Sequence, residues 1–340
     1  MDPTATAPAN FERSQQITQP LTASLLAPNQ QPFDLPTYQA HSAATRHDLQ
    51  IARKAANDAI LVSILAHHRT DEARTIQRGS QTGAWLTMLP TFHAHTALTA
   101  REFRDATFLR YSLQPLSLPS CCDGCNEPFS IDHALTCKTG GLVILRHNEL
   151  RDEYQCLAQW AYSNSAVWEE PLINPTFTPD PATNQVTALG DRGDLMIRGL
   201  FERGTDSILD FQIKHLDAPS YATKDPKSVL LQAERDKKSH YQAACEAQRR
   251  TFIPCIASVD GLLGKEFQEV NTRLATRLAS KWREPYSQVK SFVNRRISLA
   301  LIRSLSLCIR GSRIHRSKIA LPSSLQDDAY CAFVSTTPRF

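Results

Sequence analysis

The most specific chemistry in the chain lies between positions 121 and 137. Cys122, Cys125, His133 and Cys137 follow the spacing C-x2-C-x7-H-x3-C. Zinc takes four sulfur or nitrogen ligands in a tetrahedron, and a C-x2-C turn delivers two thiolates to one ion. Gly124 suits the tight bend such a turn needs. Four protein ligands leave no open position, so the expected role of Zn2+ is structural. Cys121 is an alternative to Cys122, because a four-ligand site cannot take both. Buried free thiols are the plainer reading of the same cluster.

A second constellation joins Asp194 to Asp210, with Lys214 close by. In a strand, side chains alternate faces. Leu209, Phe211 and Ile213 therefore point to a core, and Asp210, Gln212 and Lys214 share the opposite face. Asp194 and Asp210 are separated by fifteen residues, a suitable interval for two paired strands and a turn. Paired carboxylates can hold a hard divalent cation such as Mg2+ through oxygen. Such an ion activates water and offsets charge on a scissile phosphate. A nearby lysine can orient or deprotonate that water. Glu169 and Glu170, or Glu149 and Glu153, are candidates for a third carboxylate. Acids and a lysine on an open, solvent-facing strand give the same pattern without any site.

The elements that must position these groups follow from periodicity. Helical spacing is expected from Thr45 onward, with a capping-box-like Thr45-x-x-Asp48. Thr99-x-x-Glu102 opens a second helix, through about Tyr111. From residue 147 the expected order is α-β-β-β-α-β. It comprises a helix over 147–163, a strand over 166–173, strands over 195–200 and 207–216, a helix over 229–249 and a strand over 252–259. A Pro/Thr/Asn-rich loop is expected up to Gly190, and two further helices over 264–282 and 285–309. The fold class is thus α/β (α+β). The expected organisation is a disordered arm (1–42), a helical module (43–114), a zinc knuckle (115–145), a core (146–280) and basic C-terminal helices (281–325).

Composition narrows the function classes. No GxGxxG or GxxxxGK[ST] occurs, so such loops do not cradle a phosphate here. No run of 18 apolar residues occurs, which argues against a membrane-spanning helix. The N-terminal residues lack a secretory pattern, so an intracellular setting with reduced thiols is expected. Residues 281–320 hold ten Lys or Arg against one acid, Glu284, in a chain whose net charge is +4. Such a block points to a polyanion, although a solvated amphipathic helix is the simpler account.

Residues 79–316 resemble the C-terminal portion of polyproteins of non-LTR retrotransposons, the type with a restriction-like endonuclease after the reverse transcriptase. They are also similar to reverse-transcriptase-derived proteins of eukaryotes. The resemblance rests on GAWLTMLP (83–90), EFRDATFLRY (102–111), HALTCKTGGLVILRHNELRDE (133–153), EEP (169–171), DRGDL (191–195), ILDFQIKHLDAPSY (208–221), SVDGLLGKE (258–266) and CIRGSRI (308–314), together with the knuckle. It implies a PD-(D/E)XK-like endonuclease domain after a zinc knuckle, with the triplet Arg146-His147-Asn148 between them. It implies Mg2+ held by Asp194 and Asp210, with Glu170 as a third acid, and metal-assisted phosphodiester hydrolysis that nicks DNA. DNA is the expected partner, RNA the alternative. The expected compartment is the nucleus, with the cytoplasm as alternative.

Backbone-gripping roles are expected for Arg146, Lys237, Lys238, Arg295, Arg296, Arg310 and Arg313. The chain departs from the family pattern in two places. Gly193 stands where the family has proline, and Gln212 replaces the acid two residues before Lys214. Lys214 is the geometric choice for the catalytic lysine, with Lys237 or Lys238 as competitors. No YxDD-like sequence occurs, so the chain carries no reverse-transcriptase centre. A catalytically inactive nucleic-acid-binding relic and a zinc-dependent interaction module are the alternative functions.

Overall fold

The computed structural model describes residues 46–91, 94–174, 176–179 and 186–314. The expected arm, the Thr45 cap and the stretch 315–325 lie outside these residues. The chain divides into two units, 1–64 and 65–340. The first contributes helix α1 (Arg46–Leu65).

The second unit begins with α2 (Thr70–Gly79), a 3-10 turn over Ala84–Thr87 and α3 (Ala100–Arg110). Helix α3 starts as its sequence dictates. The Thr99 hydroxyl accepts from the Glu102 N–H, and the Glu102 carboxylate accepts from the Thr99 N–H at 2.7 Å. The short α4 (Ile131–Thr136) carries His133, and α5 (Leu142–Tyr162) follows.

Four strands form an open mixed sheet in the order β1-β4-β5-β6: β1 (Val167–Glu169), β4 (Leu195–Arg198), β5 (Asp206–Lys214) and β6 (Arg250–Ser258). The first three pair antiparallel, and β5 pairs parallel with β6 over nine residues. A parallel pair needs a crossover, supplied here by α6 (Pro226–Ala247). Two helices close the described chain, α7 (Lys265–Trp282) and α8 (Tyr286–Arg310). Strands β2 (Thr176–Pro179) and β3 (Val186–Leu189) form a separate antiparallel hairpin within the stretch expected to be a loop. With that hairpin set aside, the order from α5 is α-β-β-β-α-β.

The core sits between the sheet and helices α5, α7 and α8. Tyr154, Phe211 and Phe267 pack with ring centroids 5.3–5.6 Å apart. Leu150, Leu157, Leu209, Leu274 and Phe292 are fully enclosed around them. Burial of each such side chain contributes about 1.5–3 kcal/mol.

The basic C-terminal block is not a solvated face. Helix α8 is buried along most of its length, and its arginines turn inward. Arg296 forms a bidentate pair with Glu153 at 2.6 and 2.9 Å and donates to the Ala94 carbonyl. Arg295 donates to the carbonyl of Thr87, and Arg303 to those of His95 and Ala97. Arg310 binds Asp105 through two hydrogen bonds and the carbonyls of Leu116 and Ser117. Arg313 donates to the carbonyls of Ala134 and Cys308, and Arg146 to that of Leu135. A guanidinium carries five donors in a rigid fork, so Arg296 and Arg310 each satisfy an acid and main-chain carbonyls together, while Arg146, Arg295 and Arg303 bind carbonyls. Of the residues expected to grip nucleic acid, Arg146, Arg295, Arg296 and Arg313 are buried within the fold and Arg310 is half-buried. These groups strap the 84–117 segment and the knuckle onto α5 and α8, with Nε of Arg146 and of Arg313 left buried without a partner.

Candidate metal centre and carboxylate site

The knuckle is built from a tight turn and a one-and-a-half-turn helix. The Cys122 N–H bonds the Glu127 carbonyl at 2.8 Å, and the Asn126 N–H returns to the Cys122 carbonyl at 2.9 Å. Ser130 caps α4 by accepting from the His133 N–H, which aims the imidazole back at the turn. The Cys137 N–H closes onto the His133 carbonyl. Cys125 Sγ lies 3.3 Å from His133 Nε2 and 3.8 Å from Cys137 Sγ, and Cys122 Sγ lies 4.0 Å from Cys137 Sγ. Ligands about 2.3 Å from a tetrahedral zinc stand about 3.8 Å apart, so the spacing fits that ion. All four ligand atoms lie within 4.8 Å of one another, and among the described residues no other group of three or more such ligands does. Cys121 is exposed and outside the group. Burial works against a Cys122 thiolate, but the N–H groups of Cys125 and Gly124 and the neighbouring His133 and Cys125 more than offset it and pull the thiol down to about 6. A thiol ready to ionise is what a zinc ligand requires.

The carboxylate site lies on the sheet. Asp194 immediately precedes β4, and its N–H donates to the Leu209 carbonyl at 2.9 Å. Its carbonyl accepts from the Glu170 N–H at 3.0 Å. The residue is thus clamped between β5 and the end of β1. Gly193 beside it permits this close approach. A Cβ there would lie 2.3 Å from Ile208 Cγ2, and the Gly193 N–H is donated to the Pro171 carbonyl. Both observations explain why proline is absent from this position.

The side chains of Asp194 and Asp210 face one another closely enough for each to perturb the other. One Asp194 oxygen accepts from His147 Nε2 at 3.1 Å and from the Phe211 N–H. Burial alone would raise Asp194, but His147 and that N–H more than offset it and hold the group below the usual carboxylate range. Asp210 is 8% exposed and accepts from Lys237 Nζ of α6. Burial raises it, Lys237 opposes this, and the neighbouring Asp194 charge adds to the rise, leaving it at about 6. The result is a chain of contacts, His147–Asp194–Asp210–Lys237, with Tyr241 close enough to feel both acids.

The other expected residues are placed elsewhere. Lys214, the geometric choice, ends β5 with its ammonium 6.0 Å from the Tyr221 ring. Lys238 pairs with Glu266 at 2.6 Å. The Glu170 side chain is largely exposed and turns toward Arg151 at 3.7 Å. Glu153 is committed to Arg296. The sequence does not single out Tyr241 and marks His147 only as part of the Arg146-His147-Asn148 triplet. The helical interval from Lys237 to Tyr241 was the available signal, since residues four apart share a helix face.

No protein-family model matches the sequence, and no curated protein is similar to it. Fold and site define a mixed α/β chain with a Cys3His group able to bind zinc. No helix of the described residues is long and apolar enough to cross a membrane.

Proposed function

We propose that this chain is a zinc-stabilised, metal-dependent DNA endonuclease of retroelement origin, lacking a polymerase. The observation that supports the reading best is the meeting of Asp194 and Asp210 on neighbouring strands with Lys237 on Asp210. This is the site logic of the PD-(D/E)XK nucleases, with the lysine moved from Lys214 of the strand to the following helix. The α-β-β-β-α-β order around the site agrees with it.

The donor set fits a hard divalent ion. Two carboxylate oxygens leave coordination positions for water and phosphate, and the charge of the two acids asks for a cation. Asp194 and Asp210 would hold Mg2+, which when bound lowers the pKa of water and offsets phosphate charge. His147 fixes the orientation of Asp194. Lys237 places an amine beside Asp210, where it orients the attacking water or offsets charge on the leaving oxygen. The knuckle, closed by four ligands, serves the fold.

One observation favours a second reading, a nucleic-acid-binding remnant that does not cleave. Asp210 is nearly sealed and already ion-paired, and the arginines of α8 are spent inside. The experiment is plasmid nicking in Mg2+ with the natural chain, Asp210→Asn and Lys237→Met. Nicking lost in both variants supports the enzyme. Equal nicking in all three refutes the site, and retained DNA binding without nicking establishes the remnant.

A further inference from the structure

A cavity of the second unit lies apart from the carboxylate site. It has a volume of about 450 Å3 and opens where α2, α3, the knuckle and the carboxyl end of β5 meet. His215 in its wall lies about 16 Å further along the chain than Asp210, at about 3.3 Å per residue. Trp85, Leu109, Phe129, Leu135, Ile302 and Leu305 supply an apolar body, and the volume falls in the range that holds small organic ligands.

The charges around this body decide what fits. Every acid in the wall already has a partner. Asp217 and Asp260 both bind Arg78, Asp132 binds His215 Nε2 at 2.5 Å, and Asp71 binds Arg69. Two cations remain. Arg74 is largely satisfied by the carbonyls of Leu216, Tyr221 and Ala222, while its Nε is buried without a partner. Arg110 has no hydrogen bond or ion pair among the described residues, and it is half-buried. It lies over Gly79 and Gly83, where a Cβ at Gly83 would come within 3.0 Å of Arg110 Nη2. A third polar group completes the set. The His215 side chain is 8% exposed and its Nδ1 has no partner. With Nε2–H given to Asp132, the neutral ring leaves Nδ1 as an acceptor. A buried polar atom without a partner costs free energy that a bound ligand would recover.

We propose that this cavity binds a small organic monoanion with a flat apolar body, its acidic group on Arg110 and a hydrogen-bond donor directed to His215. One unpaired guanidinium specifies one negative charge. The apolar walls specify a ring or acyl body rather than a free inorganic ion. The site is independent of the nuclease reading.

A matched pair of probes tests it, naphthalene-2-carboxylate and naphthalene-2-carboxamide, titrated calorimetrically into the full chain. The expected result is one site per chain with the carboxylate bound at least roughly tenfold more tightly, as a charge-assisted hydrogen bond allows. Arg110→Met should erase that preference, and Leu109→Trp should weaken both probes by filling the cavity. Gly83→Ala, which forces the guanidinium to shift, should narrow the preference and carries the test should Arg110→Met not fold. The proposal is overturned when neither probe binds below millimolar concentration, or when the preference survives unchanged in a folded Arg110→Met or Gly83→Ala chain.

Discussion

Replacing Asp210 with asparagine should make the protein more stable while removing the proposed activity. Burial raises the Asp210 carboxyl and the neighbouring Asp194 charge adds to the rise, so that even with Lys237 bound it reaches about 6. Against an ordinary aspartate near 3.9, and at 1.36 kcal/mol per tenfold change, keeping it ionised at neutral pH costs about 3 kcal/mol. Asparagine removes that cost and still offers Lys237 an acceptor oxygen. The Lys237 contact is already inside that figure, and the altered hydrogen bonding of an amide offsets part of the gain, so an increase of about 1–3 kcal/mol is expected. At about 2–4 °C per kcal/mol for a body of this size, this is a rise of roughly 3–10 °C in Tm. The pH dependence carries the sign. The folded chain binds the proton more tightly than the unfolded one, so the natural protein gains stability as pH falls from above 6 toward 4. The advantage of Asp210→Asn should therefore be full at pH 7.5 and gone near pH 4. Denaturant unfolding at several pH values, with zinc supplied and no chelator, measures it. Millimolar Mg2+ should stabilise the natural chain and not the variant. A less stable variant at pH 7.5, or a difference that does not change with pH, would refute the electrostatic reasoning.

Four further outcomes are expected. His147 is partly buried, which opposes its cation, but Asp194 more than offsets this and raises it; its contribution is full below about 6.5 and fades as pH rises through the folded value. His147→Ala should then cost more at pH 5.5 than at pH 9 in parallel unfolding curves. Gly193→Ala should destabilise by about 1–3 kcal/mol, since the new methyl overlaps Ile208; an unchanged Tm would show that β5 yields freely. Arg296→Met should cost about 3–5 kcal/mol by stranding Glu153, with most of the loss recovered in the Arg296→Met/Glu153→Gln pair. The purified chain should contain one zinc per molecule by elemental analysis, and Cys137→Ser should lower that content and the Tm together.

Much of the framework was legible because local rules and burial agreed. Thr99 and Glu102 announced α3, and alternation around Leu209 and Phe211 gave the inward face of β5. The C-x2-C spacing singled out the residues that converge in the knuckle. Charge counting gave no sign that α8 is buried. Arg295, Arg296, Arg303 and Arg310 sit in a helix whose apolar residues and serines are buried over most of its length; burial, not the tally of cations, decides what an arginine binds. Lys237 was one of three open choices because the bend between β5 and α6, which carries it to Asp210, leaves no periodic trace. The β2–β3 hairpin was missed because its proline, threonine and asparagine content reads as loop. Gly193 was noted only as a departure. The approach of Ile208 that demands it is a long-range contact, visible only in three dimensions.

Arg313 has a consequence for synthesis. It comes from the final stretch of described chain, yet its backbone N–H is held by Asp123, and its chain fills the space left by Gly124 and Gly140. A nascent polypeptide therefore emerges with its thiols some 190 positions ahead of the segment that locks them. A chain halted before that point lacks the contacts of Arg313 with Asp123, Gly124 and Gly140, so its knuckle loses the piece that packs over its turn.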